Sequence, residues 1–358
     1  MKIDKLTLNN YEEVKLLSTK YKLNVLEKDD WENIWKNNPY ILNTQKDWIN
    51  GWALKNDQNK IVGLIHNIPF IFYYNKKKFL GAICGNWVID EKYKALSLNI
   101  RSKFLNQQNI DLYITNTANE ISEKVMEAFK AKKISQYEYG NRLVYILNKK
   151  KIIFNYIRRI FKTKNVISDI KNIKKLFFHN NANFKESFDV SNNFSKDFND
   201  LNENLSEKKE FFSSKDYEWL NWKYSRLLNT DKLWVIKKYE NKKLVGFLTL
   251  IVNYEKNFHL KKSTIVELSF LNNNEKDILE ILKKSISISK KLNCDLIDVV
   301  GFSKYKKILL KQIGFFNRQT GNFGFLVKNS NSEIENILFR NENDLDMSLT
   351  DGDAIFNV

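Results

Sequence analysis

The stretch that decides the predicted fold is FLGAICGNWVI at Phe79–Ile89, followed without a break by DEKYKALSL at Asp90–Leu98. The first run is short and apolar, which is typical of a buried β-strand. The second run is charged and opens a helix that we predict from about Leu96 to Gln107. The pattern therefore predicts a strand that turns directly into a helix.

A helix that begins in this way offers a binding site for a phosphate group. Its first backbone N–H groups have no partner inside the helix, and together with the helix dipole they favour an anion. Lys92 and Lys94 would add positive charge there, and Ser97 would add a hydroxyl. In the competing interpretation the lysines are ordinary surface residues and Ser97 is an N-cap.

The rest of the first half alternates between strands and helices. The predicted strands are Lys5–Leu8, Trp48–Leu54, Ile61–Tyr74, Phe79–Ile89 and Ile110–Thr115, and the further helices are Tyr11–Tyr21, Trp31–Trp35 and Ile121–Lys132. This order predicts a mixed β-sheet with helices on its faces.

The second half repeats that order. Its predicted elements are a helix from Tyr217, strands at Leu233–Lys238, Leu244–Tyr254 and Ser263–Leu271, a helix at Ile278–Leu292, a strand at Leu296–Val300, a helix at Lys304–Gln312 and a strand at Phe323–Val327. In each half a helix with tryptophans precedes a K-x-V-G strand, at Lys60–Gly63 and Lys243–Gly246. We therefore predict a duplication, with domains at 1–147 and 210–358 joined by a basic connector and polar region at 148–209.

This pattern resembles the GNAT acyltransferase superfamily in a tandem arrangement. In that superfamily acyl-CoA binds where two parallel strands splay apart, and its pyrophosphate rests on backbone N–H groups of a stretch written Q/R-x-x-G-x-G/A. Tyr93–Ser97, YKALS, stands where relatives commonly read YRGKS, and Ala95 replaces the usual glycine. The resemblance implies an α+β fold class with two GNAT-like domains, each a mixed, partly splayed β-sheet flanked by helices.

The resemblance also implies acetyl-CoA or another acyl-CoA as co-substrate. The residues that it assigns to cofactor binding lie at the strand end, in the turn and after the next strand: Val88, Ile89, Lys92, Lys94, Ala95, Leu96, Ser97, Leu98, Asn116 and Asn119. Asn116 and Asn119 also suit an ordinary turn and N-cap. The second copy has Asn272–Asp277 at this place, without a basic or glycine pattern, and we expect it to have lost cofactor binding.

In such enzymes an amine attacks the thioester while a general base accepts its proton. Our candidate bases are Glu91 and Asp90, beside the expected splay, and His66, which also fits a buried sheet position. Relatives often have a tyrosine after the last helix to protonate the leaving thiolate, and Phe129 stands at that place here.

The tail contains LTDGD at Leu349–Asp353, which resembles the ending of tandem acyltransferase-like proteins from surface-polysaccharide gene clusters. Asp351 and Asp353 would hold an amino sugar or a cation, unless the segment is a frayed terminus. We assign Trp31 and Trp222, from the corresponding helices, to the same acceptor site. No metal site is predicted, because the chain has 3 His and 2 Cys without a ligand pattern.

The net charge of +17 suggests an anionic partner: nucleic acid, a membrane surface or a small molecule. An AT-rich coding genome would explain the many Lys, Asn and Ile residues equally well. Ile153–Phe161 has helical spacing within the basic segment Lys149–Lys175, which fits either an amphipathic helix on an anionic membrane or a packed helix. Without a signal peptide or an apolar run of membrane-spanning length, we expect a cytoplasmic protein, with peripheral membrane attachment through this segment as the open alternative.

We therefore expect an acyl-CoA-dependent N-acyltransferase acting on an amino sugar or glycan precursor in cell-envelope biosynthesis. Two alternatives stay open. A Fem-type transferase duplicates the same fold and takes aminoacyl-tRNA, which the positive charge would suit. A non-catalytic GNAT-fold binding protein would fit Ala95 and Phe129, which replace residues that catalysis commonly uses.

Overall fold

A computed structural model describes residues 1–44, 47–134, 142–160, 188–208, 211–272, 274–299, 301–318, 324–329, 332–340, 345–348 and 350–357. The basic segment beyond residue 160, Val300, Phe323 and Leu349 lie outside these ranges, so the predictions that fall there are not addressed by the structure. The described helices are shorter or more polar than a membrane crossing requires.

The described residues form strands and helices throughout both halves of the chain. The strands are β1 Lys2–Lys5, β2 Gly51–Lys55, β3 Ile61–Tyr74, β4 Lys77–Ile89, β5 Leu112–Ala118, β6 Lys132–Ile134, β7 Arg142–Ile146, β8 Asp189–Ser191, β9 Phe211–Ser213, β10 Leu233–Glu240, β11 Lys243–Glu255, β12 Leu260–Phe270, β13 Leu296–Val299, β14 Phe316–Arg318, β15 Gly324–Asn329 and β16 Leu345–Asp346. The α-helices are α1 Tyr11–Lys20, α2 Lys28–Lys36, α3 Pro39–Thr44, α4 Ser97–Leu105, α5 Glu120–Ala128, α6 Lys149–Ile160, α7 Asp197–Ser206, α8 Tyr217–Lys223, α9 Glu275–Lys291, α10 Lys304–Gln312 and α11 Ser332–Arg340.

Two mixed sheets organise the fold, which confirms the predicted α+β class. In the described structure the first sheet has the order β1-β2-β3-β4-β5-β15-β6, with β9 and β16 attached, and the second has the order β14-β7-β13-β12-β11-β10-β8. Helices α4 and α5 cover the outer face of the first sheet through Ile100, Phe104 and Met126. Helices α9 and α10 cover the outer face of the second sheet.

The inner faces of both sheets share one apolar core. Phe70 of the first sheet and Phe247 of the second are fully buried in it, together with Trp35 of α2 and Trp219 of α8. Burial of side chains of this size contributes about 1.5–3 kcal/mol each, so the core joins the halves into one unit. The C-terminal residues run through this central layer, between the two sheets.

The sheets exchange a strand across the predicted domain boundaries. Strand β7 belongs by sequence to the first half but lies between β13 and β14 of the second sheet. Strand β15 belongs to the second half but lies between β5 and β6 of the first sheet. The boundaries at 147 and 210 stay a prediction, because each sheet is completed by a strand from the other half.

The predicted elements agree closely with the structure where the apolar pattern is strong. Strand β3 has the predicted bounds, and so does helix α10 at Lys304–Gln312. The strand predicted at Lys5–Leu8 is wrong in position, since β1 ends at Lys5 and a 3-10 turn begins at Leu8. The apolar residues of KIDKLTL at residues 2–8 fit a strand at either end of this segment, so the pattern does not fix where the strand lies.

Both sheets contain a bulge next to a pair of parallel strands. Strand β4 pairs with β5 over Gly81–Ile83 only, and its register with β3 shifts just beyond, around Asn86. Asn86 has a φ of 39°, a left-handed conformation that asparagine tolerates better than most residues. Strand β12 behaves in the same way, with a shift just after its last pair with β13 at Ile265. A bulge bends its strand, so each sheet opens at this point.

Candidate functional site

A gap separates β4 from β5 in the first sheet. The last paired residues are Ile83 and Ile114, and beyond them the described structure shows no ladder between Cys84–Ile89 and Thr115–Ala118. On its other edge β4 stays paired, with Val88 opposite Leu64. The edge of β4 that carries Val88 and Ile89 therefore faces the gap, as the sequence predicts for a splayed pair.

The turn that follows β4 is a 3-10 helix at Glu91–Leu96, continued by α4. The predicted turn residues lie on one surface, with Lys92, Lys94, Ala95 and Leu98 exposed and Leu96 and Ser97 half-buried. The carboxylate of Asp90 already caps this helix, since it accepts a hydrogen bond from the Lys92 N–H at 3.4 Å. A phosphate would therefore share the helix start with an acidic side chain.

The acidic residues of this turn are paired with lysines. Asp90 hydrogen-bonds to Lys20, which holds the pKa of its carboxyl below the ordinary value. The ammonium group of Lys94 lies 2.9 Å from Glu91 Oε1 and lowers the pKa of that carboxyl in turn. Glu91 is 74% exposed in its side chain, so it lies at the surface as a paired, ionised group.

Residues Gly352 and Asp353 of the tail reach the gap from the inner face of the sheet. Gly352 packs directly on Asn116 of β5, so closely that a Cβ atom at Gly352 would lie 2.2 Å from Asn116 Nδ2. The next residue, Asp353, packs against Gly85 of β4 and accepts a hydrogen bond from the Thr117 hydroxyl at 3.2 Å. Its carboxylate thus lies between the two parted strands.

Burial raises the pKa of Asp353 to about 6, although hydrogen bonds from Thr117 and from backbone N–H groups act in the other direction. A carboxyl group in an apolar environment loses the hydration that stabilises its charge. A group that titrates near neutral pH both accepts and returns a proton readily. Asp353 therefore has the protonation behaviour of a general base, placed at the gap.

His66 lies on the same inner face, beside Gly85. It is fully enclosed, and its Nε2 lies 3.4 Å from Trp31 Nε1, from which it accepts a hydrogen bond. The rings of Trp31 and Trp35 are 5.9 Å and 5.3 Å from the imidazole. Burial lowers the pKa of His66 to about 3, so it is neutral at physiological pH.

Arg101 of α4 enters the gap from the outer face. Its guanidinium donates hydrogen bonds to Cys84 Sγ at 2.7 Å, Thr115 Oγ1 at 2.9 Å and Met126 Sδ at 3.1 Å. The guanidinium carbon lies 4.6 Å from the centre of the Trp87 ring. The side chain is fully buried, so the gap carries a cation on one face and the Asp353 carboxyl on the other.

A buried charge cluster fixes the residues just before Asp353. Asp351 accepts hydrogen bonds from Lys223 Nζ at 2.8 Å and Lys215 Nζ at 3.2 Å, and both lysines also pair with Glu267 at 2.6 Å. Tyr224 donates to Glu267 as well, at 2.9 Å. Burial opposes the charge of Asp351, but the two lysines hold its pKa well below the ordinary value. We call Lys215, Lys223, Glu267 and Asp351 the anchor cluster.

The equivalent opening in the second sheet is covered by the chain itself. Beyond Ile265, the backbone oxygen of Val266 accepts hydrogen bonds from Ser348 at 3.4 Å and Thr350 at 3.0 Å. Lys306 donates to the Leu268 oxygen and pairs with Asp346. These contacts lie at the strand edge that a ligand would need, and the loss of cofactor binding by the second copy stays a prediction.

The remaining predicted site residues have structural contacts. Asn119 caps α5 by accepting from the Ser122 N–H at 2.9 Å, as the alternative interpretation had it. Trp222 is buried and donates to the Asn33 oxygen at 3.1 Å. The structure thus brings Val88, Ile89, Asn116, His66 and Asp353 together at the gap, whereas Glu91 lies at the surface and Trp222 in the central core.

Sequence reasoning missed Arg101, Thr117 and the partners of Asp351 in the anchor cluster. Lys215, Lys223 and Glu267 lie in separate elements, and their burial depends on the packing of the two halves. Arg101 follows Ile100 and precedes Phe104 on the covered side of α4, a signal that helical spacing would have given. In the described part of the chain, no group of three or more His, Cys, Asp or Glu side chains is arranged to hold a metal ion.

Comparison with solved structures identifies the fold. Saccharomyces cerevisiae N-myristoyltransferase with bound myristoyl-CoA superposes with a TM-score of 0.56 at 12% identity, covering 92% of this chain and 78% of that chain. A GCN5-related N-acetyltransferase from Anabaena variabilis ATCC 29413 gives 0.57 at 10% identity, with 92% and 73% covered. A conserved protein of Enterococcus faecalis V583, described as a probable N-acyltransferase, gives 0.57 at 10%, with 92% and 72% covered.

The class of protein defined by these findings is that of the GNAT fold, here in two copies across nearly the whole chain. The sequence itself matches no protein-family model and no curated protein. At these identities the likeness establishes the fold, and the chemistry has to be argued from the residues of this chain.

Proposed function

We propose that the chain is an acyl-CoA-dependent N-acyltransferase whose single working site is the gap between β4 and β5. The observation that carries the proposal is the buried carboxyl of Asp353 between the parted strands, with a pKa of about 6. Acyl-CoA would lie along the free edge of Cys84–Ile89, with its pyrophosphate at the exposed turn that holds Lys92 and Lys94. That turn supplies backbone N–H groups and lysines, the donors that suit a pyrophosphate.

The residues at the gap fit such a substrate. Trp87 Nε1 is a buried donor that has no hydrogen-bond partner in the described structure, and a buried donor of this kind calls for an acceptor. The amide and carbonyl groups of a pantetheine arm provide acceptors. The free edge of β4 offers further backbone groups of the same kind.

The proposed reaction is direct transfer to an amine. The amine nitrogen attacks the thioester carbon while its proton passes to the Asp353 carboxylate. The tetrahedral intermediate then collapses to the amide, the C–S bond breaks, and the departing CoA sulfur takes the proton back from Asp353. This assigns the base to Asp353 in place of Glu91, which is exposed and paired with Lys94, and of His66, which stays neutral under its tryptophans.

An amino sugar or glycan precursor in cell-envelope biosynthesis is our proposed acceptor. Its support is the resemblance of the LTDGD tail, together with a surface cavity of about 360 Å³ between α2 and the residues after α8. Asp29, Asp30 and Glu32 line that cavity, and a smaller pocket beside it extends to Ile355 and Phe356, close in sequence to Asp353. The lining also includes Lys36 and Arg226, which pair with Glu32 and Asp30, so the cavity is polar and of mixed charge.

Calorimetric titration with acetyl-CoA and with myristoyl-CoA tests the proposal. We expect saturable binding, weakened about tenfold in Lys94→Glu, which corresponds to about 1.4 kcal/mol. Lys76→Glu is the matched control, because Lys76 is an exposed lysine that pairs with Glu207 at 2.8 Å. Thiol release in the presence of amino sugars then reports turnover. Failure of all acyl-CoAs to bind at about 1 mM contradicts the proposal.

A non-catalytic binding protein is the second candidate, because a specific observation favours it. The gap is filled from one face by Arg101 and from the other by Gly352 and Asp353. If these groups serve only to close the sheet, acyl-CoA cannot enter the gap. Calorimetric titration with acyl-CoA will then show no heat of binding. The tRNA-dependent reading rests on the +17 charge alone and predicts binding that weakens steeply with salt.

Attachment to anionic membranes also stays a prediction. Helix α6 begins with Lys149, Lys150 and Lys151, and Phe154 is 65% exposed on it. Lys151 pairs with the buried Asp295 at 2.6 Å, so at least one of these lysines holds α6 against the second sheet. Flotation with phosphatidylserine vesicles, compared with neutral vesicles, decides the point.

A further inference from the structure

We infer that Arg101 is a catalytic residue that donates hydrogen bonds to the thioester oxygen as negative charge develops on it. The inference rests on the proposed acyltransferase function and deepens it. The arrangement behind it is a fully buried guanidinium, from the outer helix layer, placed in the gap opposite a carboxyl group from the inner layer.

The partners of Arg101 do not neutralise its charge. They are a thiol, a hydroxyl and a thioether, from Cys84, Thr115 and Met126. Among the residues that the structure describes, no carboxylate oxygen lies within 4.0 Å of the guanidinium. An arginine side chain stays protonated even when buried, and an uncompensated buried charge is costly.

Four other buried cations of the described structure, Lys215, Lys223, Lys237 and Lys306, have carboxylate partners. Lys215 and Lys223 each pair with Glu267 and Asp351. Lys306 pairs with Asp346, and Lys237 pairs with Asp189. Arg101 therefore differs from them in a way that points to a partner carried by a ligand rather than by the chain.

The donors at this place exceed the acceptors that the protein supplies. A guanidinium carries five N–H groups, and Arg101 uses three of them in the hydrogen bonds to Cys84, Thr115 and Met126. The Trp87 ring stacks on the guanidinium at 4.6 Å, and its own Nε1 has no partner in the described structure. The unused donors therefore belong to two side chains in contact with each other, next to Cys84 and Thr115 of the parted strands.

The chemistry of acyl transfer needs such donors. When the amine lone pair forms the new C–N bond, the π electrons of the carbonyl move to its oxygen, which becomes an oxyanion. Preorganised donors in a dry site stabilise that charge, and removal of one typically lowers kcat by about 10²–10³. With Arg101 on the outer face and Asp353 on the inner face, the oxyanion and the amine proton are accommodated on opposite sides of the carbonyl carbon.

The test compares Arg101→Met with Arg101→Lys in the full-length chain. We expect Arg101→Met to bind acetyl-CoA with a Kd within about threefold of wild type but to lower kcat about 10²–10³-fold. Arg101→Lys keeps the charge and should recover part of kcat. Lys103→Met is the matched control on the same helix, because Lys103 is exposed, and its kcat should not change.

The outcomes separate the inference from the proposed function. If the wild-type chain binds no acyl-CoA, the proposed function fails. If wild type turns over and Arg101→Met keeps kcat within about threefold, the inference alone is overturned. A purely structural role would instead lower the urea midpoint and weaken acetyl-CoA binding in both Arg101 variants, and that result also overturns it.

Discussion

Asp351 and Asp353 are two residues apart, both are buried, and their surroundings shift their pKa values in opposite directions. Asp351 has two lysine ammonium groups within 3.2 Å and is held ionised. Around Asp353 burial is the largest effect, and it raises the pKa of that carboxyl to about 6. When the surroundings of two neighbouring carboxyl groups move their pKa values apart, the two groups commonly have different roles. The first anchors the tail and the second is available for proton transfer.

Asp353→Asn should abolish most of the activity and the pH dependence that this residue confers. In the wild-type chain kcat/KM should rise as pH increases through about 6, because the base works only after its carboxyl has lost its proton. Loss of a general base typically costs about 10²–10⁴ in rate. Thiol release measured from pH 5 to pH 8.5 checks both points.

The same variant should be more stable than wild type at pH 8. The folded pKa of Asp353 lies above the ordinary 3.8, so its stabilising contribution is full below pH 3.8 and is lost as pH rises through about 6. About two pKa units correspond to about 3 kcal/mol. Urea unfolding should therefore show Asp353→Asn gaining stability at pH 8 and not at pH 4. A loss of stability at pH 8 would mean that the carboxylate is better solvated than its burial indicates.

Lys223→Met should disrupt the anchor cluster and lower the free energy of unfolding of the protein. The substitution leaves Glu267 and Asp351 with Lys215 as the remaining ammonium partner, all of them nearly inaccessible to solvent. Removing one member of a buried charge network typically costs about 3–5 kcal/mol. Lys76→Met is the control, since an exposed pair contributes at most about 1 kcal/mol. Equal urea midpoints for the two variants would show that the cluster contributes nothing to stability.

Much of the fold was predictable because its elements carry local signals. The apolar run of β3 and the helical spacing of α10 predict their own bounds. The exchange of β7 and β15 between sheets has no local signal, because it depends on which open edge each strand meets. The site divides in the same way. The strand, turn and helix at Ile89–Ser97 could be predicted from local sequence. The approach of Asp353 to Thr117 could not, because these residues are 236 positions apart.

Gly352→Ala should disturb the site through a steric contact. The new methyl group would lie 2.2 Å from Asn116 Nδ2, and Asn116 is fully buried. Overpacking of this kind costs about 1–3 kcal/mol and would displace Asp353 from the gap. We expect a lower melting temperature and a lower kcat. The double variant Gly352→Ala with Asn116→Ala should recover melting temperature, and absence of any recovery would place the strain elsewhere.

His66 should make the protein sensitive to acid. Its folded pKa of about 3 lies below the ordinary 6.5, so the stability linked to the neutral imidazole is complete above pH 6.5 and is lost as pH falls toward 3. At pH 4.5, about two units below the ordinary pKa, the free energy of unfolding should be about 3 kcal/mol lower than above pH 6.5. His66→Gln keeps an acceptor for Trp31 Nε1 and does not titrate. Urea unfolding at pH 7.5 and pH 4.5 should therefore show a smaller loss in His66→Gln than in wild type. Equal losses would mean that water reaches the imidazole between Trp31 and Trp35 and that it protonates without unfolding the core.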